Sequence, residues 1–286
     1  MMTGLGRLAP IRENFSKIVI SLSSLLLLAI LSLTIAKPAL AEGGLVVTPT
    51  LLEFGDADRY ASLSLVNRGD KPATYRISVV NRRMLPNGQI EPATQPAQGE
   101  HFADSIVRFS PRQVTVTPGT IQTVRVMVVR PKDMQDGEYR SHLLFEQIPD
   151  VAAATPANTS PGNTLGIQVI ARFGISIPLI VRHGHLSASA QISKVEPQTK
   201  PDGSKFLSLV LNREGNESIR GDLVASADGR QIGLIRNLAV YLSSPYRQVD
   251  LAIDSKGLSG QRVVLEYRAR KQDGGALLAS SSTVLP

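Results

Sequence analysis

The sequence predicts an all-β protein, two immunoglobulin-like β-sandwich domains joined at a hinge, and three observations carry the prediction. Residues 165–182, LGIQVIARFGISIPLIVR, keep an unbroken two-residue period that places Leu165, Ile167, Val169, Ala171, Phe173, Ile175, Ile177, Leu179 and Val181 on one face. A helix would scatter these side chains around its circumference, whereas a strand puts alternate residues on one side. Short alternating segments also recur along the chain between turns rich in Gly, Pro and Asn, with no convincing amphipathic helix. Finally, the 286 residues include no Cys, no Trp and few aromatics, and Val, Leu, Ile, Ser and Thr dominate, a composition suited to pleated surfaces. A chain of that length suggests two domains.

The amino terminus reads as a targeting segment. Arg7, Arg12 and Lys17 precede an apolar run from Ile18 to Ala36, and Ala39-Leu40-Ala41 is a small-x-small cleavage signal before Glu42. Residues 1–41 are therefore expected to be a signal peptide, with export to an extracytoplasmic compartment and no stable membrane association after cleavage. The alternative is an uncleaved anchor, since the apolar run is just long enough to span a bilayer. Of 31 basic and 24 acidic residues, four basic and one acidic lie in this segment, leaving a net charge of +4 beyond it. With no basic run and no aromatic interleaving, nucleic acid is not an expected partner.

From Leu45 to Val181 the chain reads as successive strands. Val46 to Phe54 is broken by Pro49, which marks an edge or a strand switch. Ala61, Leu63 and Leu65 alternate up to the turn at Asn67-Arg68-Gly69-Asp70, and Tyr75, Ile77 and Val79 form the next face. Leu85 to Asp104 reads as a long loop. Val107 and Phe109 resume a strand interrupted by Pro111, Val114 and Val116 lead to the turn at Pro118-Gly119, and Val124 to Val128 and Tyr139 to Phe145 follow. Residues 149–164 are small and Pro-broken, a loop within this sandwich because the 165–182 strand comes after it. That strand is long for one domain, so it either runs on into a linker or offers part of its apolar face outside the domain. The first domain is expected over 42–182, and the second, 183–286, begins at His183-Gly184-His185. Its strands are expected at Leu186–Val195, Phe206–Asn212, Gly221–Ala227, Leu238–Leu242, Gln248–Ile253, Val263–Ala269 and Leu277–Leu285.

No catalytic constellation stands out, and an enzyme is not expected. Cysteine nucleophiles, disulfides and thiolate metal sites are excluded outright. His183-x-His185 lacks a third ligand at recognisable spacing, Gly-x-Ser-x-Gly is missing, and Asp56 and Asp58 read as turn formers. No metal or cofactor is implied.

Three segments in order resemble the periplasmic pilus-assembly chaperones, the PapD-like family, over essentially the whole chain after the leader. Phe109 to Val128, FSPRQVTVTPGTIQTVRVMV, is similar to the family's strand, Pro-Gly turn and strand. Asp136 to Pro149, DGEYRSHLLFEQIP, is similar to the strand ending in Ile-Pro, and 165–182 takes the place of the donor strand. The resemblance implies a periplasmic chaperone that binds pilus or fimbrial subunits by lending them this strand, and that works with an outer-membrane usher. Donated side chains would be Ile167, Val169, Ala171, Phe173, Ile175 and Ile177. Glu138 and Arg182 match the family's interdomain cleft charges, with Asp254 a candidate third member. The family's arginine and lysine that anchor the subunit's terminal carboxylate fall here on Leu51 and Pro178, so the chain looks like a divergent member. Arg172 and Arg182 are the nearby candidates for that contact. A secreted two-domain structural or adhesive protein is the alternative.

Overall fold

The structure, a computed structural model, describes residues 44–149 and 173–286. The expected leader, most of the 149–164 loop and residues 165–172, with Ile167, Val169, Ala171 and Arg172, lie outside the described residues.

Pro49 divides β1 (Leu45–Thr48) from β2 (Leu52–Phe54), and the two strands enter different sheets, the switch expected where a residue without an N–H interrupts a ladder. The chain continues as β3 (Tyr60–Asn67), β4 (Ala73–Val80), β5 (Arg82–Met84), β6 (Ile90–Pro92), β7 (Val107–Ser110), β8 (Gln113–Val116), β9 (Ile121–Val128), β10 (Gly137–Ile148) and β11 (Gly174–His183). Strands β1-β3-β9-β7 form one sheet and β2-β11-β10-β4-β8 the other, and Pro111 marks the second switch, from β7 to β8. Alternation then does what the period predicts. Leu63, Leu65, Val124 and Val126 of one sheet meet Leu143, Phe145, Leu179 and Val181 of the other, each no more than 1% exposed.

The second sandwich comprises β12 (Ala188–Thr199), β13 (Lys205–Gly215), β14 (Ile219–Ala227), β15 (Arg230–Val240), β16 (Tyr246–Ala252), β17 (Arg262–Ala269) and β18 (Leu277–Val284). Sheets β12-β13-β16 and β15-β14-β17-β18 enclose Leu207, Leu209, Leu211, Leu223, Val263, Leu265 and Tyr267. Asp228 and Gly229 link β14 to β15 with φ of 48° and 75°, both left-handed, which matches the twist of a two-residue hairpin. Strand β15 starts well before the predicted Leu238. Register shifts against β14 and a left-handed Asn237 (φ 56°) break its two-residue period, so alternation could not reveal it.

The predicted loop at 85–104 needs a correction, because part of it is the β5–β6 hairpin, which reaches into the second sandwich. Met84 is 1% exposed and belongs to the core containing Leu207 and Leu265. Its N–H donates to Ser243 Oγ at 3.2 Å, and that hydroxyl donates back to the Met84 carbonyl at 3.1 Å. At the tip, Gln248 N–H donates to the Pro86 carbonyl at 2.7 Å. Gly88 there has φ of 83°, the left-handed region that favours glycine, and it packs against the Arg247 guanidinium. Met84→Ala is expected to lower unfolding free energy by about 2–5 kcal/mol in urea melts, the range for emptying a well-packed methionine site.

Candidate functional site

The edge of β11 is the first element of the site. Gln147 N–H donates to the Phe173 carbonyl at 3.0 Å, and β10 and β11 stay in continuous antiparallel register from Glu146↔Gly174 to Gly137↔His183. Odd-numbered residues of β11 therefore turn their backbone groups to β10. The N–H and C=O of Gly174 and Ser176 and the C=O of Pro178 point the other way. On that outer side β2 pairs only with Leu179–Val181. Among the described residues, Gly174 to Pro178 thus has no strand partner on that outer side, and Pro178 costs nothing there because its missing donor falls on the open edge.

Phe173 is 59% exposed, although its parity is that of the core-facing residues. Ile175 is partly buried against the first core, and Ile177 is 3% exposed within it. The expected donor set is therefore divided among the described residues. With β11 paired to β10, Ile177 lies under the opposing sheet and Ile175 packs against the same core, so of the described members of that set only Phe173 is exposed.

The junction between sandwiches is the second element. Glu138 stands across from Arg182 in the β10–β11 register and is fully buried. Its Oε2 accepts from Ser218 N–H at 3.2 Å and Ser218 Oγ at 2.7 Å, and lies 3.5 Å from Arg182 Nη2. Arg182 also reaches Glu217 at 2.9 Å through Nε, in an ion pair without hydrogen-bond alignment, and Glu53 at 3.5 Å. Glu53 is shared with Arg270 at 3.3 Å. Burial, ahead of the neighbouring charges, raises the Glu217 carboxyl. Asp254 takes no part in this cluster. It pairs with exposed Arg230 at 3.3 Å, because its backbone N–H is bonded to Ile232 on β15. Ser218 and Glu217 supply the second sandwich's contacts instead. They sit in the β13–β14 turn, where no spacing or motif distinguishes them from ordinary turn residues.

Beyond Glu138 on the same face of β10 come Arg140 and His142, 6% and 5% exposed. The Arg140 guanidinium stacks 3.7 Å from the Tyr241 ring centroid, a contact between the sandwiches. Burial first, then the charges of Arg140 and Arg82, push His142 down to about 3. An unfolded histidine takes up a proton near pH 6.5, whereas this one stays neutral until about pH 3. Stability should therefore fall as pH drops through that window, by roughly 5 kcal/mol from this group alone. Urea melts of His142→Leu between pH 7 and 3.5 should show a flatter acid limb than wild type.

The β2–β11 register, Leu52↔Leu179, places Leu51 beside Pro178 one step further along. The two positions where the resemblance lacks its cations are thus neighbours at the end of the open edge. At the hinge, His183 Nδ1 meets Asp56 Oδ1 at 2.7 Å and His185 N–H donates to Asp136 at 3.0 Å. Among the described residues no three potential metal ligands converge. An open cleft of about 650 Å³ on the second sandwich is bordered by Lys194, Glu196, Arg247 and Asp250. It mixes both charge signs and lies away from the β11 edge.

No family model and no curated protein matches the chain. Solved structures do. The chaperone YadV aligns at 12% identity and TM-score 0.45 over 85% of this chain and 100% of that one. The CsuC–CsuE chaperone–tip subunit pre-assembly complex from Acinetobacter baumannii aligns at 14% and 0.44, over 85% and 98%. Pseudomonas aeruginosa CupB2 chaperone aligns at 13% and 0.42, over 84% and 100%. The chain is similar to chaperones. The likeness is one of architecture, and what those proteins bind is a property of those proteins. No helix among the described residues is long and apolar enough to cross a membrane.

Proposed function

We propose that this protein is a periplasmic chaperone for pilus or fimbrial subunits, completing an unfinished client sheet with the edge of β11 before delivery to an outer-membrane usher. The observation that carries the reading is the open edge from Gly174 to Pro178, flanked by exposed Phe173. An unpaired edge beside an apolar side chain is a hazard that folded proteins blunt or cover, unless a partner strand is meant to add there. Main-chain bonds at Gly174 and Ser176 would supply affinity, and alternate side chains the specificity. The two-residue period continues the face of Phe173 back through Ala171, Val169 and Ile167, which we propose as further anchors. Each large side chain buried in a client groove is worth about 1.5–3 kcal/mol before ordering costs. Glu138, Ser218 and Arg182, we propose, hold the two sandwiches at the angle that leaves the edge accessible; a buried pair of this kind sets geometry more than it adds stability. Co-expression with candidate fimbrial subunits tests the reading: a client should survive proteolysis only when the chaperone is present, and equal loss with and without it would refute the assignment.

A further inference from the structure

The second sandwich carries an open edge of its own, on β16. Ile253 N–H donates to the Lys205 carbonyl at 3.1 Å and Arg213 N–H to the Pro245 carbonyl at 2.8 Å, which marks the odd-numbered residues of β16 as those bonded to β13. The N–H and C=O groups of Gln248, Asp250 and Ala252 therefore face away from that sheet. At either end of this run the outer side is taken: Gln248 N–H donates to the Pro86 carbonyl of the β5–β6 hairpin at 2.7 Å, and Asp254 N–H to the Ile232 carbonyl of β15 at 2.8 Å. Between them, the Gln248 and Asp250 carbonyls and the Asp250 and Ala252 N–H groups have no partner among the described residues.

Strand β15 belongs to the opposite sheet and approaches β16 at two points. Near one end, a Cβ on Gly233 would lie 2.8 Å from the Ala252 carbonyl; near the other, Arg247 Nη1 donates to the Ala239 carbonyl at 2.9 Å. Between these points β15 carries its bulge, with Asn237 left-handed, and there the cleft of about 650 Å³ opens. Ile235 and Leu238 border it from β15, Gln248 and Asp250 from β16, and Asn87 from the hairpin tip.

Edge and cleft together suit one kind of occupant. Unpaired main-chain donors and acceptors at strand spacing match the main chain of an extended peptide, and the hairpin already supplies one such partner, Pro86, at the adjoining rung. A charged edge residue by itself keeps other strands away. Asp250, however, stands beside a cleft with room for a chain, is exposed, and makes no ion pair among the described residues. A residue paired with Asp250 would place its side chain on the same face, within cross-strand reach of the carboxylate, while its neighbours would turn to the inner face beside the apolar wall of Ile235 and Leu238.

We propose that the β16 edge between Gln248 and Ala252 is a peptide-binding site, and that its occupant is an extended segment with a lysine or arginine between two apolar residues. The hairpin and β15 close its ends, leaving room in the ladder for about three residues at strand spacing. The site is separate from the β11 edge and stands whether or not that edge receives a client.

The test is a nuclear magnetic resonance titration of the purified protein with the probe N-acetyl-Val-Lys-Val-amide, following backbone amides. The Asp250 and Ala252 signals should shift and saturate. N-acetyl-Val-Glu-Val-amide should bind about fivefold more weakly, and Asp250→Asn, an exposed substitution that keeps the fold, should remove most of that difference. Methylating the lysine's peptide nitrogen in the first probe should abolish the response, because that N–H has to donate to the edge. Asp250 and Ala252 signals that stay still with the lysine probe would overturn the site, even if Gly174 and Ser176 respond. Equal affinity for the lysine and glutamate probes, discrimination unchanged in Asp250→Asn, or an undiminished response to the methylated probe would overturn the occupant and its mode of binding.

Discussion

Phe173→Asp is expected to abolish capture of the proposed client while leaving the protein folded. Phe173 is 59% exposed, so the fold does not depend on it. In a client groove, the substitution would forfeit about 1.5–3 kcal/mol of apolar burial and add several kcal/mol for a desolvated, unpaired carboxylate. Together these exceed about 4 kcal/mol, a loss of at least three orders of magnitude in affinity. Circular dichroism should match wild type while pull-down of the client fails. A folded variant that still protects its client would show that Phe173 does not enter the groove.

Arg182→Ala should be the most damaging change at the junction. Arg182 is the cation common to Glu53, Glu138 and Glu217, and its removal leaves a fully buried carboxylate with only Ser218 as partner. Breaking a buried pair costs about 3–5 kcal/mol; because the Arg182 side chain remains 28% exposed, about 2–4 kcal/mol is the better expectation here. Glu138→Gln keeps an acceptor for Ser218 and removes a charge from a crowded acidic group, so it should cost less. Urea unfolding and small-angle scattering read both effects. The ordering would be refuted if Glu138→Gln proved the more destabilising.

The sandwich pattern was legible in the sequence because burial on one face imposes a two-residue period, and Pro49 announced an edge or a strand switch because a missing N–H cannot sit in a central ladder; Pro111, read only as an interruption, marks the second switch. Contacts that depend on two distant segments left no such mark. Met84, just before the predicted loop, belongs to no alternating face until β5–β6 is seen entering the second core, and Ser218 is one turn residue among several. Asp254 was misplaced for the converse reason: a charge of the right sign in the right domain says nothing about which side of a sandwich its loop occupies. Likewise the period that singled out 165–182 does not reveal where core ends and free edge begins. That boundary, between Ile175 and Phe173, is set by how far the opposing sheet extends.

The central claim is that a client strand adds to β11 between Gly174 and Pro178, and amide hydrogen exchange on this protein with and without the proposed client tests it most directly. The Gly174 and Ser176 amides face the open edge, whereas that of Ile175 faces β10. Client binding should slow exchange at Gly174 and Ser176 by about two orders of magnitude or more and change Ile175 far less, the alternating signature of a newly paired strand. Gly174 and Ser176 exchanging as fast in the complex as in the free protein, with protection appearing elsewhere, would contradict it.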